Sequence, residues 1–148
     1  MATLQQRYEL FIRTSPDTLW NAITRPETTP HYFYGSALHA KLETGAPLKF
    51  TMPDGSVMVE GEVLQARPRE EFSHTWIIRY DPSCSNERSK VRYRIDARGE
   101  VCKLTVEHDL SEAPLSAAQV GGEGGWSVVL SGLKTFLETG KAMPMPQT

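Results

Sequence analysis

Residues 121–140 read GGEGGWSVVLSGLKTFLETG, a glycine cluster that opens onto a single amphipathic helix. Trp126, Val129, Leu130, Leu133, Phe136 and Leu137 recur at the i, i+3, i+4, i+7 spacing and so share one face, while Ser127, Lys134 and Glu138 fall elsewhere. A helix this apolar on one side must lie on an apolar surface. Lys134 and Lys141 sit toward its negative C-terminal end, and Gly140 suits a left-handed cap that stops it there.

The surface beneath the helix comes from upstream. A first strand is expected from Arg7 to Arg13, where Tyr8, Leu10 and Ile12 alternate with Glu9 and Arg13 and Phe11 interrupts the pattern. Ser15 and Pro16 then offer an N-cap and an N1 residue for a short helix through Ile23, and Pro26 to Tyr34 reads as a second short helix or turn. Six further strands follow: Ser36 to Leu42, Pro47 to Met52, Val57 to Ala66, Glu71 to Tyr80, Lys90 to Asp96 and Val101 to Asp109. Turn residues at Thr44-Gly45, Pro53-Asp54-Gly55, Arg67-Pro68-Arg69 and Ala97-Arg98-Gly99 imply antiparallel hairpins. Asp81 to Ser89 is a longer polar loop, expected to be mobile and to sit at a pocket rim.

Successive strand residues face opposite sides, so parity sorts them. Leu48, Phe50 and Met52 form one set, followed by Phe72, His74, Trp76 and Ile78, then Val91, Tyr93 and Ile95, then Leu104, Val106 and His108. These sets are expected to line a concave face. Lys49, Arg79, Arg92, Arg94, Lys103 and Glu107 take the other parity and read as a solvated outer face with charge pairing across strands. Glu60 and Glu62 point outward with them, unless a bulge near Gly61 reverses the order locally.

Composition narrows the partners. A chain of 148 residues that is 39% hydrophobic and 23% charged suits one soluble globular domain, assigned to 1–141, with 142–148 as a flexible C-terminal tail. A net charge of −2 and the lack of a basic run argue against nucleic acid. The N-terminus lacks a signal-peptide pattern and no apolar stretch is long enough to span a membrane, so a cytoplasmic location is expected. Cys84 and Cys102 lack metal or redox spacing and read as reduced thiols.

The order of elements and several short motifs resemble the helix-grip fold of the SRPBCC superfamily, which includes START and birch-pollen-allergen-like domains. More narrowly the chain looks like the homologues of the activator of heat-shock-protein ATPase. The resemblance is carried by Trp20 to Thr24 followed by Pro26-Glu27, by Tyr32-Phe33, by Pro53-Asp54-Gly55 and by Gly61-Glu62-Val63-Leu64. It continues through Pro68 before Phe72-Ser73-His74-Thr75-Trp76, LTVEHDL from Leu104 to Leu110, and Gly125-Trp126 with Leu130 to Leu133. Within the family it is most similar to single-domain bacterial members grouped near an enediyne-antibiotic self-resistance protein. The resemblance implies an α+β fold: a curved antiparallel sheet of about seven strands, two short helices and one long C-terminal helix across it. It also implies a chaperone partner and a role in the stress response. The GGEGG loop is longer than the single or double glycine usual before the tryptophan.

The residues favour a small-molecule binding protein, with a hydrophobic cavity between sheet and C-terminal helix that sequesters or carries an apolar or aromatic ligand. Its candidate contacts are Tyr32, Phe33, Phe50, Met52, His74, Trp76, Tyr93, His108, Trp126 and Leu130. His74 and His108 share the inner parity, but one strand separates theirs, roughly 9 to 10 Å of backbone. No inward carboxylate or cysteine completes a metal set, so no metal or other cofactor is expected. The glycine cluster lacks the Lys-Ser or Lys-Thr of a phosphate loop and reads as a hinge or a plain linker. Two alternatives stand beside binding: a protein-interaction module like the heat-shock-protein ATPase activators, and a cyclase- or aromatase-like enzyme working through His74, Tyr93 and His108. The absence of any nucleophile motif sets the balance against an enzyme.

Overall fold

Alternation in the meander becomes one continuous sheet. The computed structural model describes residues 5–121 and 124–147. In chain order these form β1 (Gln5–Ile12), α1 (Pro16–Thr24), a 3-10 turn (Thr29–His31), β2 (Ala37–Ala40), β3 (Pro47–Thr51), β4 (Val57–Arg67) and β5 (Glu71–Ile78). A second 3-10 turn (Pro82–Cys84), β6 (Ser89–Arg98), β7 (Val101–Asp109), α2 (Pro114–Val120) and α3 (Trp126–Thr139) complete the domain. The seven strands are antiparallel in the order β1-β7-β6-β5-β4-β3-β2, so the first strand closes onto the last and every other neighbour is a hairpin. This is the α+β helix-grip arrangement expected above.

Parity predicts burial well. Phe50, Phe72, His74, Ile78, Val91, Leu104, Val106 and His108 are all essentially inaccessible. On the opposite side Lys103 meets Glu9 at 2.8 Å, Arg92 meets Glu71 at 3.0 Å and Arg79 meets Glu60 at 2.6 Å. The register slips on β4 fall at Leu64 and Met58, not at Gly61, and Val59 and Val63 stay inside. Between them the Glu62 N–H leaves the ladder and donates to the Thr75 hydroxyl at 2.8 Å.

The helices follow local chemistry. Ser15 caps α1 by accepting from the Thr18 N–H at 3.2 Å. Gly140 ends α3 at φ 78°, a left-handed cap that a side chain would strain. Lys134 does not act at the helix end: its ammonium donates to the Phe11 carbonyl at 2.7 Å and to Glu138 at 2.7 Å, while Glu138 accepts from the Arg13 N–H at 2.8 Å. These bonds fasten the far end of α3 to the end of β1. Phe136 stacks on His31 at 4.5 Å between ring centroids, so the lower half of the predicted apolar face packs on the first 3-10 turn and is only half-buried.

The segment between β7 and α3 departs from expectation. It holds α2, whose first residue is Pro114 and which no side chain of its own caps. Glu87 supplies the cap from the 81–89 loop, accepting from the Ser116 N–H at 2.7 Å, the Leu115 N–H at 3.1 Å and the Ser116 hydroxyl at 2.9 Å. Burial alone would raise the Glu87 carboxyl; these three bonds outweigh it and hold it below its ordinary value. Gln119 adds a bond to Asp81 at 2.9 Å. The loop expected to be mobile is thus tied to α2 at two points, and its own Cys84 is buried. Cys84 and Cys102 are free thiols. Residues 142–147 have no regular secondary structure, and no helix among the described residues is long and apolar enough to cross a membrane.

Candidate functional site

Under the start of α3 the concave face carries a packed aromatic and polar column. His74, Val91 and His108 lie in one row across β5, β6 and β7. Trp126, first residue of α3, packs its ring edge-on to Phe33, Tyr93 and His108 at 5.8, 6.0 and 5.8 Å. Its indole N–H donates to His108 Nδ1 at 3.0 Å. That bond makes Nδ1 an acceptor and places the His108 proton on Nε2, which lies 2.7 Å from the Ser89 hydroxyl. Ser89 in turn donates to the Trp76 carbonyl at 3.4 Å. Helix α3 is therefore locked to three strands through one neutral imidazole.

His74 is held differently. Its Nδ1–H donates to the Thr75 carbonyl at 2.8 Å, its Nε2 has no partner, and its ring lies among Phe50, Phe72, Trp76 and Tyr93. The Trp76 indole N–H is likewise buried and unpaired. Burial depresses the His74 pKa to about 4, the Thr75 bond opposing it weakly. His108 falls to about 3, from burial and then from proximity to His74, with Asp109 pulling the other way. Burial also pushes the Tyr93 phenol far up. Both rings are neutral at physiological pH. Among the described residues no group of three or more His, Cys, Asp or Glu comes together as metal ligands.

Open space lies to one side of this column. A cleft of about 660 Å³ runs between the β4 start, the β5 end, α2 and the start of α3. Phe33, Trp76 and Trp126 form its aromatic floor, Met52, Met58, Val120 and Val129 its apolar sides, and Tyr34, Tyr80, Ser56, Arg79 and Gln119 its polar rim. Tyr34 adopts a left-handed backbone at φ 55°, followed by Gly35 at φ 75°, which turns its ring over the cleft so that the hydroxyl donates to the Gly124 carbonyl. A non-glycine residue there costs about 1 kcal/mol. Gly125 is required for a different reason: a Cβ on it would sit 1.8 Å from the Val120 carbonyl oxygen, so α2 and α3 meet only because that position is bare. The glycine hinge expected at 121–125 falls partly on 122 and 123, which lie outside the described residues.

The structure divides the ten candidate contacts. Phe33, Met52, Trp76 and Trp126 border the cleft. Phe50, His74, Tyr93, His108 and Leu130 are off the cleft wall, in the packed core. Tyr32 donates to the Ala22 carbonyl at 2.8 Å and borders a second, smaller pocket of about 300 Å³ with His31, Val128 and Met143. Parity placed Arg79 on the outer face, yet it also borders the cleft because β5 ends at Ile78. Tyr80, next in the inner parity after Ile78, also borders the cleft and was not among the candidate contacts. The contributions of α2 and of Ser56 to Met58 had no such signal.

Residues 13–138 match the family described as Activator of Hsp90 ATPase homolog 1-like protein. The chain belongs to this family, within the SRPBCC superfamily. Similar solved structures include DynU16 from the dynemicin biosynthetic locus, with a TM-score of 0.75 and 24% identity over 93% of this chain and 48% of that one. CalU16 from Micromonospora echinospora matches with a TM-score of 0.70 and 21% identity over 95% of this chain and 77% of its own. An HSP90 activator from Plasmodium falciparum matches with a TM-score of 0.61 and 20% identity over 93% and 89%. The chain spans about half the length of DynU16. At these identities the likeness establishes the fold that family members share. No curated protein matches the chain.

Proposed function

We propose that the protein binds an apolar, aromatic small molecule in the cleft beside α3, and that it sequesters or carries this ligand in the cytoplasm. The observation that carries the reading is the cleft itself: about 660 Å³ floored by Phe33, Trp76 and Trp126, a size and lining typical of small-molecule sites. Binding is favoured over conversion because His74 and His108, the titratable groups closest to the core column, are not on the cleft wall. Two of the three tryptophans do border it, whereas Trp20 packs on Phe72, away from the cleft. Titration with neutral polycyclic aromatic probes is expected to quench tryptophan emission saturably and to raise the melting temperature. A panel of such probes that changes neither signal overturns the reading.

Family membership supports a second reading, a docking module for a heat-shock chaperone. It predicts a changed chaperone ATPase rate on addition of the purified protein; an unchanged rate together with failure to bind the chaperone removes it.

A further inference from the structure

Among the described residues Arg79 is the one charged side chain on the cleft wall. It is not free to meet a ligand. Its Nε–H and Nη2–H both donate to Glu60 Oε1, at 3.0 and 2.6 Å, and its Nη1–H donates to the Ser85 carbonyl at 3.2 Å. The Arg79 N–H is itself bonded to the Met58 carbonyl at 2.9 Å, which fixes the root of the side chain against β4. Glu60 is one strand away on β4, off the cleft wall, and its side chain is 34% exposed against 35% for Arg79.

From this arrangement we propose that Glu60 is a specificity-determining residue: by occupying Arg79 it makes the cleft select uncharged aromatic ligands and reject their carboxylate analogues. The inference rests on the small-molecule reading above and names the ligand's charge class. A carboxylate entering the cleft gives up hydration against the aromatic floor. The one described cation on the cleft wall already has its charge balanced and three of its donors used. To recruit Arg79, the ligand must displace Glu60 and leave that carboxylate nearby and unpaired, so attraction to one group is cancelled by repulsion from the other. An alcohol or ketone of the same shape meets neither penalty. The pair thus acts as an element against the wrong ligand while adding little to the affinity of the right one.

The test compares 9-anthracenemethanol with anthracene-9-carboxylate, two probes of one shape and different charge, by fluorescence titration at neutral pH. The native protein is expected to prefer the alcohol by roughly tenfold, the scale of one charge-assisted hydrogen bond withheld. Glu60→Gln keeps the side-chain shape but removes the charge that balances Arg79, and is expected to bring the two affinities to near parity. Adding Arg79→Gln to that variant is expected to restore the preference for the alcohol. Equal binding of both probes by the native protein overturns the proposal without need of any variant, as does a folded Glu60→Gln protein with the native preference. Binding of neither probe by any form overturns the small-molecule reading instead, and this inference with it.

Discussion

Acidification from pH 7 to pH 5 is expected to lower the unfolding free energy of this domain by about 4 kcal/mol. The effect comes from His74 and His108, whose folded pKa values of about 4 and about 3 lie below the ordinary 6.5. The unfolded chain takes up two protons as the pH falls through about 6.5, and the folded chain refuses them until the pH approaches 4 and 3. The stability contributed by burying neutral rings is therefore complete above about pH 6.5 and is lost progressively below it. Carboxylates held low by their partners, such as Asp109 with its bonds from Ser111 and Asp54 with its bonds from Ser56, lose their contribution only at lower pH. The slope between pH 7 and 5 belongs to the two histidines. Urea unfolding at pH 7, 6 and 5 measures it, and His74→Leu is expected to halve it to about 2 kcal/mol, since one proton site is removed. Equal stability at pH 7 and 5 in the native protein would show that the rings are not buried as neutral groups.

That prediction rests on what parity made legible. Strand alternation put His74 and His108 inside and Arg92 and Lys103 outside, because on a sheet with one covered face a one-residue shift would expose the whole inner set. The helix-face pattern of α3 was equally readable from Trp126 to Leu133. The cleft was not. It depends on α2, a seven-residue helix whose sequence lacks its own N-cap because Glu87, almost thirty residues upstream, supplies one. Such a cap leaves no local signal. Nor does alternation say where a helix stops touching a sheet: it identifies the inner face but not the place along that face where side chains fail to fill the space. Hence the sequence brings together the floor residues Phe33, Trp76 and Trp126 but merges them with Phe50, His74, Tyr93 and His108, which the structure packs off the cleft wall, beside it. Tyr34 was passed over beside Tyr32 and Phe33 because its role follows from a left-handed backbone, a conformation that an aromatic side chain does not advertise.

Trp126 borders both the cleft and the packed column, and truncating it is expected to be among the most damaging single changes in the chain. Trp126→Ala removes a 2% exposed indole that touches Phe33, Trp76, Tyr93 and His108, at a cost of about 4 kcal/mol from lost packing and the void left behind. Trp126→Phe separates packing from hydrogen bonding. It keeps most of the aromatic contact but leaves His108 Nδ1 as a buried acceptor without its donor, and is expected to cost about 2 kcal/mol. Loss of the indole N–H acts on ionisation as well. The Trp126 N–H is bonded to the lone pair that a proton must occupy, so it favours the neutral ring; taking it away is expected to raise the His108 pKa in the Phe variant. Imidazole NMR titration of the native protein and Trp126→Phe measures that shift directly. An unchanged His108 titration together with native stability would mean that the ring is held by burial alone, and that α3 is fastened to the sheet by apolar contact without the polar lock.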